Sequence, residues 1–175
     1  MTAPPSAAQR PALAASVSLE LLADAVEPLD AHAYATPADT GVAGAIGGHV
    51  RHCLDHADAV LQALDTGLVD YEHRRRGSPV EQDPAEGVSA LRHAAARLRA
   101  CPAEAAQRTV NVRTRVSAEA DWVEAPTTLA RELIFVQSHT IHHSAMVAAL
   151  LREHGMTPPE ELGFAPSTLW SLKPA

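Results

Sequence analysis

Apolar positions recur with a helical period in four long stretches of this chain and with a period of two in one short stretch between the third and the fourth. The first helical stretch is SLELLADAVEPLDAHAY, capped by Ser16 or Ser18, with Leu21, Leu22, Ala25 and Leu29 as its apolar stripe. Pro28 kinks or ends it. After the loop TPADTG, a second helix runs from about Ala43 to Asp65 and is closed by Gly67. Its apolar face is Ile46, Val50, Cys53, Leu54, Ala57, Leu61 and Leu64, while Arg51, Asp55, Asp58 and Gln62 are expected to face water. Residues 67–83 are too polar and too broken for a long element. Asp83 then caps a third helix that has Pro84 at its first position and turns Leu91, Ala94, Ala95 and Leu98 inward. From Thr109 to Val116 polar and apolar residues alternate, and Trp122–Glu124 is the returning partner, which predicts a β-hairpin. Thr127 or Thr128 caps the fourth helix, which stops at Gly155. The expected fold is all-α, a four-helix bundle with a small β-hairpin crossover before the last helix.

Residues 1–14, rich in Ala and Pro, are expected to be frayed or disordered, and residues 15–175 to form a single domain. The tail carries Leu162, Phe164, Leu169 and Trp170, so it is expected to pack over the helices.

The fourth helix changes the picture from fold to chemistry. Leu133 to Leu151, LIFVQSHTIHHSAMVAALL, contains no Asp, Glu, Lys or Arg, yet holds His139, His142 and His143. Apolar residues on nearly every side mark it as buried. Three His, two Ser, a Gln and a Thr make it a poor membrane segment. At about 100° per residue, His139 and His143 lie about 40° apart on one face, where two imidazoles reach one metal ion. The second helix supplies His49, His52 and His56 along one edge of its apolar face. Six of the ten histidines therefore lie in two segments.

Composition narrows the reading further. Aromatic residues make up only 3% of the chain, so Ala, Leu and Val must fill the core, which favours close-packed helices. A net charge of −7 argues against a nucleic-acid partner, because duplex binding rests on clustered Lys and Arg. The N-terminal stretch lacks a charged start followed by a sustained apolar run, and two cysteines form no disulfide framework. A cytoplasmic protein without a membrane partner is expected.

A pair of histidines at i, i+4 needs a third ligand from elsewhere, and two long helices of one bundle supply it by facing each other. A buried histidine also serves as a hydrogen-bonded core residue, and that reading competes with ligation for each imidazole taken alone. A zincin motif is excluded, because Thr140 stands where the Glu after His139 would be. A ferritin-like di-metal site is excluded too, since the chain has no Glu-x-x-His pair. One mononuclear site is what the residues allow.

In AIGGHVRHCLDHADAVLQAL on the second helix and HTIHHSAMVAALLREHG on the fourth, the chain resembles the DinB-like four-helix bundles. The resemblance covers about residues 16–156, and Arg152 to Gly155 match the end of the family's pattern. It implies His52, His139 and His143 as ligands of one divalent ion, which imidazole leaves open as Zn, Ni or Fe. On the second helix His49 or His56 could take the place of His52 as ligand; otherwise these two, with His142 and Glu132, are candidates to orient the ligands by hydrogen bonds, to line the pocket or, for Glu132, to act as a base. Ser144-Ala145 stand where many members carry Arg-Gly.

The resemblance also implies either hydrolysis or S-transfer from a low-molecular-weight thiol to a small molecule, and a homodimer as the form of association. An open metal site lowers the pKa of a water or a thiol, which suits both reactions. Cys53 projects into the apolar face and Cys101 sits at a helix end, so neither is the expected nucleophile. Asp70, Tyr71 and the run Arg74-Arg75-Arg76 form a loop to which an anionic substrate could dock, although a solvated run is the simpler reading. The alternative function is a non-catalytic metal-binding or ligand-sensing bundle.

Overall fold

Thr128 ends a strand and caps a helix in the same residue, and that junction sets the direction of the helix that carries His139, His142 and His143. Its Oγ1 accepts from the Arg131 amide at 3.3 Å, and the helix that follows, Leu129–Glu153, is the longest in the protein. The computed structural model describes residues 5–37, 41–119 and 121–173. Among them the helices are α1 (Arg10–Val26), α2 (Ala31–Ala35), α3 (Ile46–Thr66), α4 (Pro84–Arg99), α5 (Leu129–Glu153) and α6 (Pro166–Ser171). The strands are β1 (Leu68–Asp70), β2 (Thr109–Arg115) and β3 (Trp122–Thr128). The protein is mostly helical with one small sheet.

Packing follows the apolar faces. α1 packs on α4 and α5, and α3 packs on the same two helices, so each long helix meets two others. The shared core is built from Leu, Val and Ala with few aromatics; Leu19, Leu22, Ile46, Val50, Leu91, Leu98, Leu133 and Leu151 are almost wholly buried. Close approach at one end of α3 depends on glycine. Tyr34 is fully buried, with its hydroxyl donating to the Val80 carbonyl at 2.8 Å. A Cβ at Gly47 or Gly87 would overlap the Tyr34 ring or hydroxyl, so only glycine lets α3 and α4 close around it.

The predicted ends of three helices agree with what is seen. Gly67 adopts a left-handed φ of 73° at the end of α3, and its amide bonds the Ala63 carbonyl. Asp83 caps α4 by accepting from Ala85, and α5 runs out just before Gly155 at φ 73°. The first helix differs from expectation. α1 begins at Arg10, with Pro11 in its first turn, and Ala12 within the stretch expected to fray is buried. Ser16 is therefore no cap; it is buried in mid-helix and donates to the Ala95 carbonyl at 2.9 Å. Pro28 stops α1 two residues ahead of itself, and Asp30 caps the separate α2. Of the frayed stretch, residues 1–4 lie outside the described residues, as do residues 38–40 of the loop before α3.

The expected hairpin is present as β2 and β3, antiparallel from Thr109↔Thr128 to Arg115↔Trp122. β3 is an edge strand, which tolerates Pro126. The third strand was not expected. β1 pairs parallel to β2, and its three residues are too short to announce themselves in a period. The tail is a partial correction: Leu162 is buried, but Phe164 is 44% and Trp170 76% exposed. Gly163 holds the tail down, because a Cβ there would collide with the Ala145 backbone on α5.

Candidate metal centre

α3 and α5 pack side by side, and the histidine edge of one meets the histidine face of the other. His49 and His56 are buried, His52, His139 and His143 are half-buried, and His142 is exposed. The Nε2 atoms of His52 and His139 face each other at 2.9 Å, and the Nδ1 atoms of His49 and His143 do the same at 2.9 Å. His56 turns its Nδ1 to the His52 carbonyl at 3.0 Å, where it donates as N–H. This leaves Nε2 of His56 as its lone-pair nitrogen.

Two overlapping groups of three emerge. One nitrogen each from His52, His56 and His139 lies within 4.8 Å of the others, a cluster that could hold a metal ion. The rings of His52, His139 and His143 form a nearly equilateral triangle instead, with centroids 4.8, 4.6 and 4.6 Å apart and mutual tilts of 66–80°. Ligands on one tetrahedral ion at 2.0–2.1 Å sit about 3.3–3.4 Å from each other. The facing pair at 2.9 Å needs to part by only about half an ångström to admit an ion. The residues therefore fit a metal.

The electrostatics favour donation as well. Burial, and then the neighbouring imidazoles, push His52 and His143 down to about 3 and His139 to about 4. His49 and His56 are lowered too, in both cases mainly by burial. All five are neutral at pH 7, the form in which imidazole binds a metal. Among the described residues of the cluster no carboxylate touches these rings, so a cation would meet uncharged donors only.

Glu132 is buried but does not reach the histidines. Its Oε2 accepts from the Tyr71 hydroxyl at 2.7 Å and its Oε1 from the Thr127 hydroxyl at 2.8 Å. Tyr71 in turn stacks on His56 at 4.9 Å, and its phenol is raised by burial and by Glu132. Phe135, one turn before His139, lies nearly parallel to it at 5.5 Å. Phe135 is a site neighbour that sequence reasoning missed, and Tyr71, read from the sequence only as part of a loop to which an anion could dock, is another. Phe135 was legible from its i, i+4 spacing to His139; Tyr71 reaches the site only because its loop folds back over α3.

Other sequence candidates find different places. His142 is near His143 but exposed, with centroids 5.3 Å apart. Cys53 is fully buried, and burial lifts its thiol to about 12, so it is inert. Arg51 and Asp55 do not face water as expected. Asp55 is 6% exposed and pairs with Arg51 at 2.7 Å, Arg51 also pairs with Glu81 at 2.7 Å, and Arg75 reaches Asp55 and Asp58. The arginine run is thus partly absorbed into a network that pins the loop after α3. Asp70 pairs with Arg113 at 3.6 Å. An apolar groove of about 350 Å³ between α1, α5 and the tail, lined by Val17, Leu21, Ile141 and Phe164, contains none of the six histidines.

A family model described as the DinB family matches residues 18–163. None of the curated proteins and none of the solved structures compared matches the chain. Among the described residues no helix is long and apolar enough to cross a membrane.

Proposed function

We propose that this chain, which belongs to the DinB family, holds one divalent metal ion between α3 and α5 and uses it in small-molecule chemistry. On this reading α1, α3, α4 and α5 constitute the family's four-helix bundle, and His52, His139 and His143 are the ligands. The carrying observation is the triangle of three rings, 4.6–4.8 Å between centroids and tilted 66–80° to one another. A ligating nitrogen holds its lone pair in the ring plane. Three planes so steeply inclined can meet near one point, as coordination by three imidazoles requires.

His143 uses Nδ1 toward His49, which leaves Nε2 for the ion; His52 and His139 already present Nε2 to each other. His49 then orients His143 by a hydrogen bond from behind. Three protein ligands leave a coordination position for a substrate. The ion, as Zn, Ni or Fe, supplies Lewis acidity that lowers the pKa of a water or a thiol.

Thiol-dependent S-transfer to a small electrophile is favoured over hydrolysis by the state of the acids. Glu132 is engaged by Tyr71 and Thr127, and Asp55 by Arg51, so neither buried carboxylate stands free as a base to activate water. A thiol of low intrinsic pKa needs no such base once acidified. The same engagement supports the second reading, a metal-binding bundle without turnover. The two separate in one experiment. Untagged protein is assayed for metal by elemental analysis, then loaded and tested against a panel of low-molecular-weight thiols and electrophiles. About one equivalent of metal with thiol-dependent turnover is the expected result. Metal uptake without turnover selects the non-catalytic bundle, and no metal uptake ends both.

A further inference from the structure

One nitrogen of His56 lies within 4.8 Å of nitrogens of His52 and His139, a group that could hold an ion, but the plane of the His56 ring argues for another role. It lies nearly parallel to His139, tilted by 28° with centroids 4.1 Å apart. A metal in the plane of His139 therefore lies toward the face of His56, away from the in-plane lone pair. Its other contacts hold it there. Nδ1 is tied to the His52 carbonyl at 3.0 Å, and Tyr71 lies against the ring at 4.9 Å with a 24° tilt. Tyr71 is anchored by Glu132, and Glu132 by Thr127 at the junction of β3 and α5.

We propose that His56 is a positioning residue rather than a ligand: backed by Tyr71 and Glu132, it presses on His139 and fixes that ring's plane so that Nε2 faces His52. The proposal rests on the ligand set proposed above. Its logic is mechanical. α5 carries both the ligand His139 and, two turns earlier, the anchor Glu132. The loop residue Tyr71 bridges them through a ring on α3, so the spacing between the helices and the rotation of His139 are set together. Phe135 lies nearly parallel to His139 at 5.5 Å and adds a further restraint on its rotation. Orienting groups of this kind typically contribute about 10–100-fold to metal affinity.

The test compares His56→Ala with His56→Phe in the full chain. Zn²⁺ affinity is measured by competition with a chromophoric chelator, and the visible spectrum is recorded after loading with Co²⁺. His56→Ala should weaken Zn²⁺ by about 10–100-fold. His56→Phe, which stacks but cannot ligate, should recover to within a few-fold and keep the wild-type Co²⁺ spectrum. Equal loss in both variants with a shifted Co²⁺ spectrum would make His56 a ligand and overturn the proposal. Unchanged affinity in His56→Ala would overturn it as well. Tyr71→Ala and Tyr71→Phe serve if a His56 variant does not fold. The relay expects a clear loss in Tyr71→Ala and a smaller one in Tyr71→Phe, whereas wild-type affinity in both rejects it. Retention of Zn²⁺ by His139→Ala and His143→Ala would instead sink the ligand set itself, a failure visible without any His56 variant.

Discussion

The Nε2 atoms of His52 and His139 face one another across 2.9 Å, although 87 residues separate them in the chain. Two neutral imidazoles so placed can share a proton or an ion, and on the proposed ligand set His143 is the third donor. Replacing His52, His139 or His143 with Ala should each reduce Zn²⁺ affinity by more than the ~10–100-fold typical of an orienting residue. His142→Ala should change it little, because that ring is exposed and turned aside. Chelator competition on the four variants checks this, and a large loss in His142→Ala alone would move the site.

Acid should act on the metal and the fold in the same direction. His52, His139 and His143 titrate far below the ordinary imidazole value because of burial and mutual repulsion. Between the unfolded value near 6.5 and about 5, the unfolded chain binds more protons than the folded one, so stability falls as pH falls. Carboxylates titrate mostly below that window. Denaturant midpoints of the metal-free protein at pH 7.5 and 5.2 should therefore differ, with the lower pH less stable. Metal should dissociate as pH falls, since protons compete for the same nitrogens. Equal midpoints would mean that the imidazoles are solvated.

Gly47 and Gly48 are neighbours with opposite expectations. A Cβ at Gly47 meets Tyr34 and the Glu81 backbone, whereas one at Gly48 meets open space. Gly47→Ala should destabilise the protein by about 1–3 kcal/mol through overpacking. Gly48→Ala should stabilise it by up to about 1 kcal/mol, the gain in helix propensity. Thermal unfolding of both variants reads the sign directly, and a stabilising Gly47→Ala would show that α3 and Tyr34 are not in close contact.

Association is expected through the apolar groove of α1, α5 and the tail, where Val17 is 51% and Phe164 44% exposed. A two-fold partner would cover these side chains. Light scattering at high micromolar concentration should return a dimer mass, and Val17→Glu should shift it toward monomer. A monomer mass for the unaltered protein rules the dimer out.

The sequence by itself determined the helix ends that rest on local chemistry. Asp83 with Pro84, Thr128, Gly67 and Gly155 act through their own φ or side chain, so no distant partner is needed to read them. It also determined which two helices carry the clustered histidines, because apolar periodicity assigns a face and the histidines lie along that face. Where period and cap disagreed with burial, sequence misled: Ser16 looks like a cap but sits against α4, and Asp55 looks solvated but is buried in an ion network.

Tertiary structure alone decided the rest. β1 exists only because β2 runs beside it, and Tyr71 joins the site only because its loop closes over α3 onto Glu132 on α5. The same holds for the ring planes within the histidine cluster. Helical projection places His49, His52 and His56 on one edge but says nothing of ring planes, and a ring plane is set by what packs against it from another element. The stack of His56 on His139, against the open triangle of His52, His139 and His143, is that kind of fact. Spacing along a helix fixes direction to within tens of degrees, while a coordination site depends on angles and distances that only the meeting of two helices supplies.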